Sequence, residues 1–214
     1  MKQLNNLKKL SEASFFNKET LQRVIGVSDN SLYSNIKRWL KRGEIIQLKR
    51  GLYVSKEYVQ KVKDKNSYVE FIANNLNKPS YLTGEYVLQK YNILTESVFS
   101  ITSVTLKKTN LYQNDLGLFL YSSIRENLFC GYKIKAEEGY EIKEATKAKA
   151  LFDYLYFRLW RLPKVTKDYI LSLRLNILEL MNGDLNEFEK YIKILRLEKM
   201  NVLPKILKEI KNDN

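Results

Sequence analysis

Between Asn17 and Val54 turn residues cut the chain into four short pieces, and pieces of that length and order can build only a small compact domain. Asn17 is a good N-cap, and Leu21, Val24 and Ile25 come after it at the spacing of a short helix that Gly26 breaks. Ser28 offers a second N-cap. It predicts a helix over about Asp29 to Arg42, with Gly43 as the residue just past its end. On that helix Leu32, Ile36, Trp39 and Leu40 share one face, while Asn30, Ser34, Lys37, Arg38 and Lys41 share the opposite one, with Ser31 at its edge. Glu44 to Leu48 reads as a strand and Leu52-Tyr53-Val54 as its returning partner. Lys49-Arg50-Gly51 between them reads as a tight basic turn in which Gly51 is free to take positive φ. Two short helices, the second basic on its outer face, and then a basic-tipped hairpin make the pattern of a winged helix-turn-helix.

Such a domain on duplex DNA would use the start of its second helix to reach base edges, here Asn30, Ser31, Tyr33 and Ser34. Lys37, Arg38 and Lys41 along the helix, and Lys49 and Arg50 at the hairpin tip, would hold phosphates. Tyr33 equally fits packing against the first helix, and domains of this size also serve as protein-docking modules with a merely solvated basic face. Charge separates these readings in part. The formal charge of +13 favours polyanionic partners, nucleic acid first and an acidic membrane surface second. A/T-rich coding bias would also inflate Lys, but it would spread the excess evenly. Residues 1–66 instead hold 15 Lys and Arg against 6 Asp and Glu, and residues 67–214 hold 22 against 18.

That shift sets the expected organisation: residues 1–66 as the winged helix-turn-helix with its linker, and residues 67–214 as a second, α+β domain. Ser55 to Ser67 is polar and Lys-rich, a linker or a helix extending the basic surface. Val69, Ile72, Ala73 and Leu76 then form a helical stripe, and Thr83 to Tyr91 a second helix. Val98 to Leu106, Leu116 to Ser122, Phe129 to Ile134 and Tyr140 to Ile142 are strand candidates, which together predict a small antiparallel sheet. Thr146 to Trp160 reads as a largely buried helix. Ile170, Leu173, Ile177 and Leu180 form one stripe of a helix ended by Gly183. Asp184 with Glu187 makes a capping box for the next helix, and Leu203, Ile206, Leu207 and Ile210 mark a last amphipathic one. The fold class expected is mixed α+β, mainly helical.

Catalytic chemistry is not expected. The chain has no His, a single Cys and only eight Gly, which argues against a His general base, a Cys-rich zinc site and a Gly-rich phosphate loop. No catalytic residue, metal ligand or cofactor is therefore assigned. Glu137, Glu138, Glu141 and Glu144 lie among Lys135 and Lys143 and read as a solvated surface. Asp153, in an otherwise apolar helix, reads as structural, with Lys149 four residues earlier as its partner. The lone Cys130 fits a reducing compartment. No apolar run approaches the roughly 18–20 residues of a membrane span, and Met1 to Leu7 lacks the apolar core of a signal peptide. A soluble, cytoplasmic protein without a membrane partner is expected.

The order of these elements resembles one family. The run Gly43-Glu44-Ile45-Ile46, continued by Leu48-Lys49-Arg50-Gly51-Leu52-Tyr53, is similar to the N-terminal domain of AbiEi-type antitoxins of abortive-infection (type IV) toxin-antitoxin systems. Pro79 to Leu88 resembles the family's segment leading into a helix, before the β run ending Ile101-Thr102-Ser103-Val104-Thr105. Thr146 to Tyr156 resembles its K-A-L-x-D helix, with Lys149, Ala150, Leu151 and Asp153 in register. The resemblance extends through about Tyr156. It implies a phage-defence antitoxin that represses its own operon by binding inverted repeats upstream. It also implies neutralisation of a nucleotidyltransferase-like toxin by the second domain, without a stable complex. Two other readings fit the residues. One is a winged-helix transcription factor with a partner- or ligand-sensing second domain; the other is an interaction module, or RNA-binding regulator, with no preference for duplex DNA.

Overall fold

The computed structural model describes residues 7–213. The residues before Leu7, on which the reading of a missing signal peptide partly rests, lie outside them. Helix (48%) outweighs strand (22%), and the fold is mixed α and β with two sheets. Contacts divide the chain into two compact units. The first holds the described residues through Val69 together with Tyr112–Leu118, and the second holds Glu70–Leu111 and Phe119 onward.

The first unit runs β1 (Phe16–Asn17), α1 (Lys18–Ile25), α2 (Asp29–Lys41), β2 (Ile45–Lys49), β3 (Leu52–Ser55) and α3 (Lys56–Lys61). Its three strands pair antiparallel in the order β1-β3-β2. The apolar faces of both helices close on one core, with Leu21 and Leu32 at 0% exposure and Trp39 at 1%. Burying side chains of this kind stabilises by about 1.5–3 kcal/mol each. Leu7, Leu10 and Phe16 join that core, although they precede the first predicted helix. The Lys-rich stretch after Ser55 is helical rather than extended: α3 leads to α4 (Lys65–Leu76), within which the division between units falls.

Beyond α4 come β4 (Ser80–Leu82), α5 (Gly84–Lys90), β5 (Ser100–Thr105), β6 (Asn110–Asn114), β7 (Gly117–Ser123), β8 (Tyr132–Glu137), β9 (Tyr140–Ala145) and α6 (Lys147–Leu159), all in the second unit except the Tyr112–Leu118 stretch of β6 and β7. The helices α7 (Lys167–Ser172), α8 (Asn182–Leu195) and α9 (Leu203–Asn212) complete the second unit. Its sheet corrects the expectation of a small antiparallel one: six strands lie in the order β6-β7-β5-β4-β9-β8. β4 pairs antiparallel with β5 but parallel with β9. A three-residue strand leaves no alternation to detect, and a parallel partner some sixty residues away (Leu82 beside Glu144) leaves no local trace. β6 (Asn-Leu-Tyr-Gln-Asn) is mostly polar and exposed, so it carries no strand pattern either. The strand expected over Phe129 to Ile134 begins only at Tyr132, because a 3₁₀ turn at Glu126–Leu128 precedes it.

Two helix expectations also change. The stripe from Ile170 to Leu180 is not one helix. α7 stops at Ser172, Arg174 turns left-handed with φ of 51°, and Ile177–Glu179 forms a separate 3₁₀ turn. Gly183 lies inside the first turn of α8 rather than beyond a preceding helix. Asp184 does cap, accepting from the Met181 amide at 2.8 Å. Glu187 does not: its Oε1 accepts from Thr146 Oγ1 at 2.7 Å and from the Tyr191 hydroxyl at 2.5 Å.

Charge is taken into the centre of the second unit. α6 is buried from Ala148 to Tyr156 and packs against α5 and α8. Within it Lys149 Nζ pairs with Asp153 Oδ1, both fully buried. Asp153 Oδ2 also accepts from Thr83 Oγ1 at 2.7 Å and from the Tyr81 hydroxyl at 3.1 Å. Burial pushes the Asp153 carboxyl up, against the opposing pull of Lys149, Thr83 and Tyr81. Gly131 is needed beside this pair. Its φ is +74°, and a Cβ there would collide with the Tyr191 hydroxyl and sit 3.0 Å from Lys149 Cγ.

Glu144 departs from the solvated surface expected of it and its acidic neighbours. It is 1% exposed, on the same face of β9 as the buried Ile142. Lys90 donates to it at 2.5 Å and Lys135 closes on its other oxygen, while Lys90 also reaches Glu70 at 2.7 Å. Alternation along β9 turns Glu144 inward, and lysines of α5 and β8 compensate the charge. Glu138 and Glu141 are exposed and Glu137 is half-buried.

Candidate nucleic-acid interface

The two helices of the first unit are delimited as their residues dictate. Asn17 Oδ1 accepts from the Thr20 amide at 2.8 Å, and Gly26, at φ 70°, closes α1 in the left-handed region. Ser28 starts α2 in extended conformation, its hydroxyl donating to Ser31 Oγ at 3.1 Å rather than capping the backbone. At the far end the Glu44 amide donates to Trp39 O at 2.9 Å and the Gly43 amide to Leu40 O at 3.0 Å. Those two bonds, with Gly43 at φ 64°, form a Schellman closure that turns the chain directly into β2.

α2 then has two distinct faces. Leu32, Asn35, Ile36 and Trp39 are buried. Asn30, Ser31, Tyr33, Ser34, Lys37, Arg38 and Lys41 are exposed, as is Arg50 in the hairpin turn, while Lys49 is half-buried. Local bonds already occupy part of this set. Ser34 Oγ donates to Asn30 O at 3.2 Å, and Arg38 Nη2 to Asn35 Oδ1 at 2.7 Å. Tyr33 is 53% exposed, but its hydroxyl accepts from Lys18 Nζ at 3.2 Å, and that ammonium lies 4.4 Å from the ring centroid.

Lys18 is the residue that sequence reasoning missed. Its ammonium is 3.4 Å from Asp29 Oδ1, and its backbone amide donates to Gly51 O in the hairpin turn at 3.1 Å. One residue at the start of α1 therefore ties the hairpin turn to the first turn of α2. The Tyr33 hydrogen bond raises the Lys18 pKa against a smaller desolvation effect, with Asp29 adding to the rise, so the ammonium stays charged. Pairing with Asp29 also offsets the one carboxylate in the first turn of α2, where a polyanion would meet it. No helix spacing signals this role, because Lys18 lies on a different helix from its partners.

Chemically, the surface offers hydroxyl and amide groups at the start of a helix, three cations along it and a further arginine at a hairpin turn. Hydrogen bonding and charge pairing to a polyanion are what such a set can do. In comparison with known proteins, no protein-family model and no curated protein matches the chain.

Proposed function

We propose that this chain is a DNA-binding regulator whose first unit is a winged helix-turn-helix, with α2 as the recognition helix and the β2–β3 hairpin as the wing. The observation that carries this is the linkage through Lys18, which ties the hairpin turn that holds Arg50 to the first turns of α2. Asn30, Ser31 and Ser34 are assigned to base edges, Lys37, Arg38 and Lys41 to phosphates, and Arg50 to the backbone or minor groove beside the wing. Tyr33 and Lys49, each held by a neighbouring side chain, are assigned lesser roles. The resemblance of the Gly43–Tyr53, Pro79–Leu88 and Thr146–Tyr156 runs to AbiEi-type antitoxins supports a more specific proposal. The chain would repress its own operon through inverted repeats, and its second unit would neutralise a nucleotidyltransferase-like toxin.

Titration onto duplex DNA from upstream of its own gene, against a scrambled duplex and at several salt concentrations, tests the first part. Tighter binding to the native duplex is expected. Lys37→Ala with Arg38→Ala should reduce the slope of log affinity against log salt by about two, and Arg50→Ala by about one. Equal weak binding to both duplexes, indifferent to these substitutions, would leave the basic face merely solvated and point to a protein-docking role. Rescue of cells expressing the toxin of the adjacent gene tests the antitoxic part separately.

A further inference from the structure

We infer that Asn114 is a positioning residue for the wing, so that the nucleic-acid-reading surface is built from two stretches of chain far apart in sequence. Its consequence for DNA binding rests on the function proposed above; its consequence for the hairpin does not. The register of β2 and β3 slips once. Gln47 pairs with Tyr53 and Lys49 with Leu52, which leaves Leu48 as the extra residue of a bulge. A bulge interrupts the ladder, sharpens the local twist and re-aims the residues immediately after it, here Lys49-Arg50-Gly51. The side chain of Leu48 is 1% exposed, anchoring the bulge in the core, and its carbonyl takes a donor from outside the hairpin. Asn114 Nδ2 supplies that donor at 2.8 Å, across 66 positions of sequence.

Asn114 is itself held in place. Its Oδ1 accepts from the Leu116 amide at 2.8 Å, closing the β6–β7 turn on its own side chain. Tyr112 adds a second contact, with Lys49 Nζ 5.9 Å from its ring centroid, at the outer limit of a cation–π interaction. Tyr112–Leu118 accordingly cluster with the first unit. The aim of Arg50 is therefore set by a side chain that a domain ending at residue 66 would lack.

The full-length chain tests this with Asn114→Asp, which keeps the acceptor for Leu116 and removes the donor to Leu48. Gln113→Glu, at an exposed neighbouring position, controls for the added charge. Without DNA, hydrogen exchange of the Lys49 to Leu52 amides should quicken about tenfold in Asn114→Asp, while Gln113→Glu and the amides of α6 stay at wild-type rates. With DNA, Asn114→Asp should weaken binding several-fold in the wild-type background and add little once Arg50→Ala is present, because both changes remove the same contact. Unchanged exchange at the hairpin overturns the brace. Additive losses with Arg50→Ala overturn its role in aiming the wing. If the wild-type chain ignores duplex DNA, the proposed function fails, and the exchange result alone decides whether Asn114 holds the hairpin.

Discussion

On α2 of the first unit Lys37 and Lys41 stand exposed along one face, whereas in the second unit Lys149 is fully buried and Lys90 and Lys135 converge on the buried Glu144. The same residue types are placed under opposite physical rules. An exposed cation keeps its hydration and remains available to an external anion. A buried one must be matched inside the protein, because leaving it unpaired costs several kcal/mol. The difference shows why net charge alone is a poor guide to where a polyanion binds. Lys90, Lys135 and Lys149 of the second unit are already committed internally.

The largest expected effect comes from breaking the buried pair. Asp153→Asn leaves the Lys149 ammonium without its carboxylate, and a loss of about 3–5 kcal/mol is expected. Thermal unfolding should show it as a fall on the order of 10 °C. Restoring most of that stability with Lys149→Met in the same chain would mark the pair as a matched unit. An unaltered midpoint in the single variant would mean that water reaches the site.

A smaller, pH-dependent effect belongs to Glu144. Burial pushes its carboxyl up, but hydrogen bonds and charges from Lys135 and Lys90 outweigh burial and hold it below its ordinary value. A depressed carboxylate contributes stability that is fully present above its unfolded pKa of about 4.3 and is lost as pH falls through the folded value. Burial lowers the two ammonium pKa values, but Glu144 for both, with Glu70 added for Lys90, more than reverses this, so both end up raised. Their contribution is present below about 10.4 and fades as pH rises through the folded values. Urea midpoints measured from pH 7 to pH 3 should therefore fall less steeply for Glu144→Gln than for the wild type. Parallel curves would show that the cluster gains nothing from ionisation.

The smallest effect sharpens the contrast. Lys37→Ala and Lys41→Ala, on the exposed face, should leave stability within about 0.5 kcal/mol of the wild type while weakening any nucleic-acid binding. Denaturant unfolding beside duplex titration separates the two quantities. A large loss of stability from either change would place those lysines in the structural class of Lys90.

The range of each interaction decides whether it is legible in the sequence. Asn17, Gly26, Gly43 and the apolar face of α2 act within a few residues, so spacing and cap chemistry locate both helices and the hairpin. The Lys149–Asp153 pair, one helical turn apart, is visible for the same reason. Lys18, Tyr112 and Asn114 are not, because each acts on residues of another element. Glu144 is misjudged because its neighbours Glu137, Glu138 and Glu141 dominate a local average, while only strand alternation and the distant Lys90 turn it inward. Gly131 carries no signal at all: the close approach of Tyr191 that excludes a side chain there comes from α8.

The amino-acid sequence by itself determined where α1 and α2 start and stop, which face of α2 is apolar, and that the hairpin turn carries Lys49 and Arg50. Backbone capping and helical periodicity are short-range and hold wherever the segment is placed. Only the tertiary structure decided that β4 lies between an antiparallel and a parallel neighbour, that Glu144 is buried, and that a side chain from the β6–β7 turn completes the β2–β3 bulge. Those outcomes depend on which groups meet when distant segments pack. A buried carbonyl or carboxylate accepts whichever donor arrives there, and nothing in its own neighbourhood of sequence names that donor.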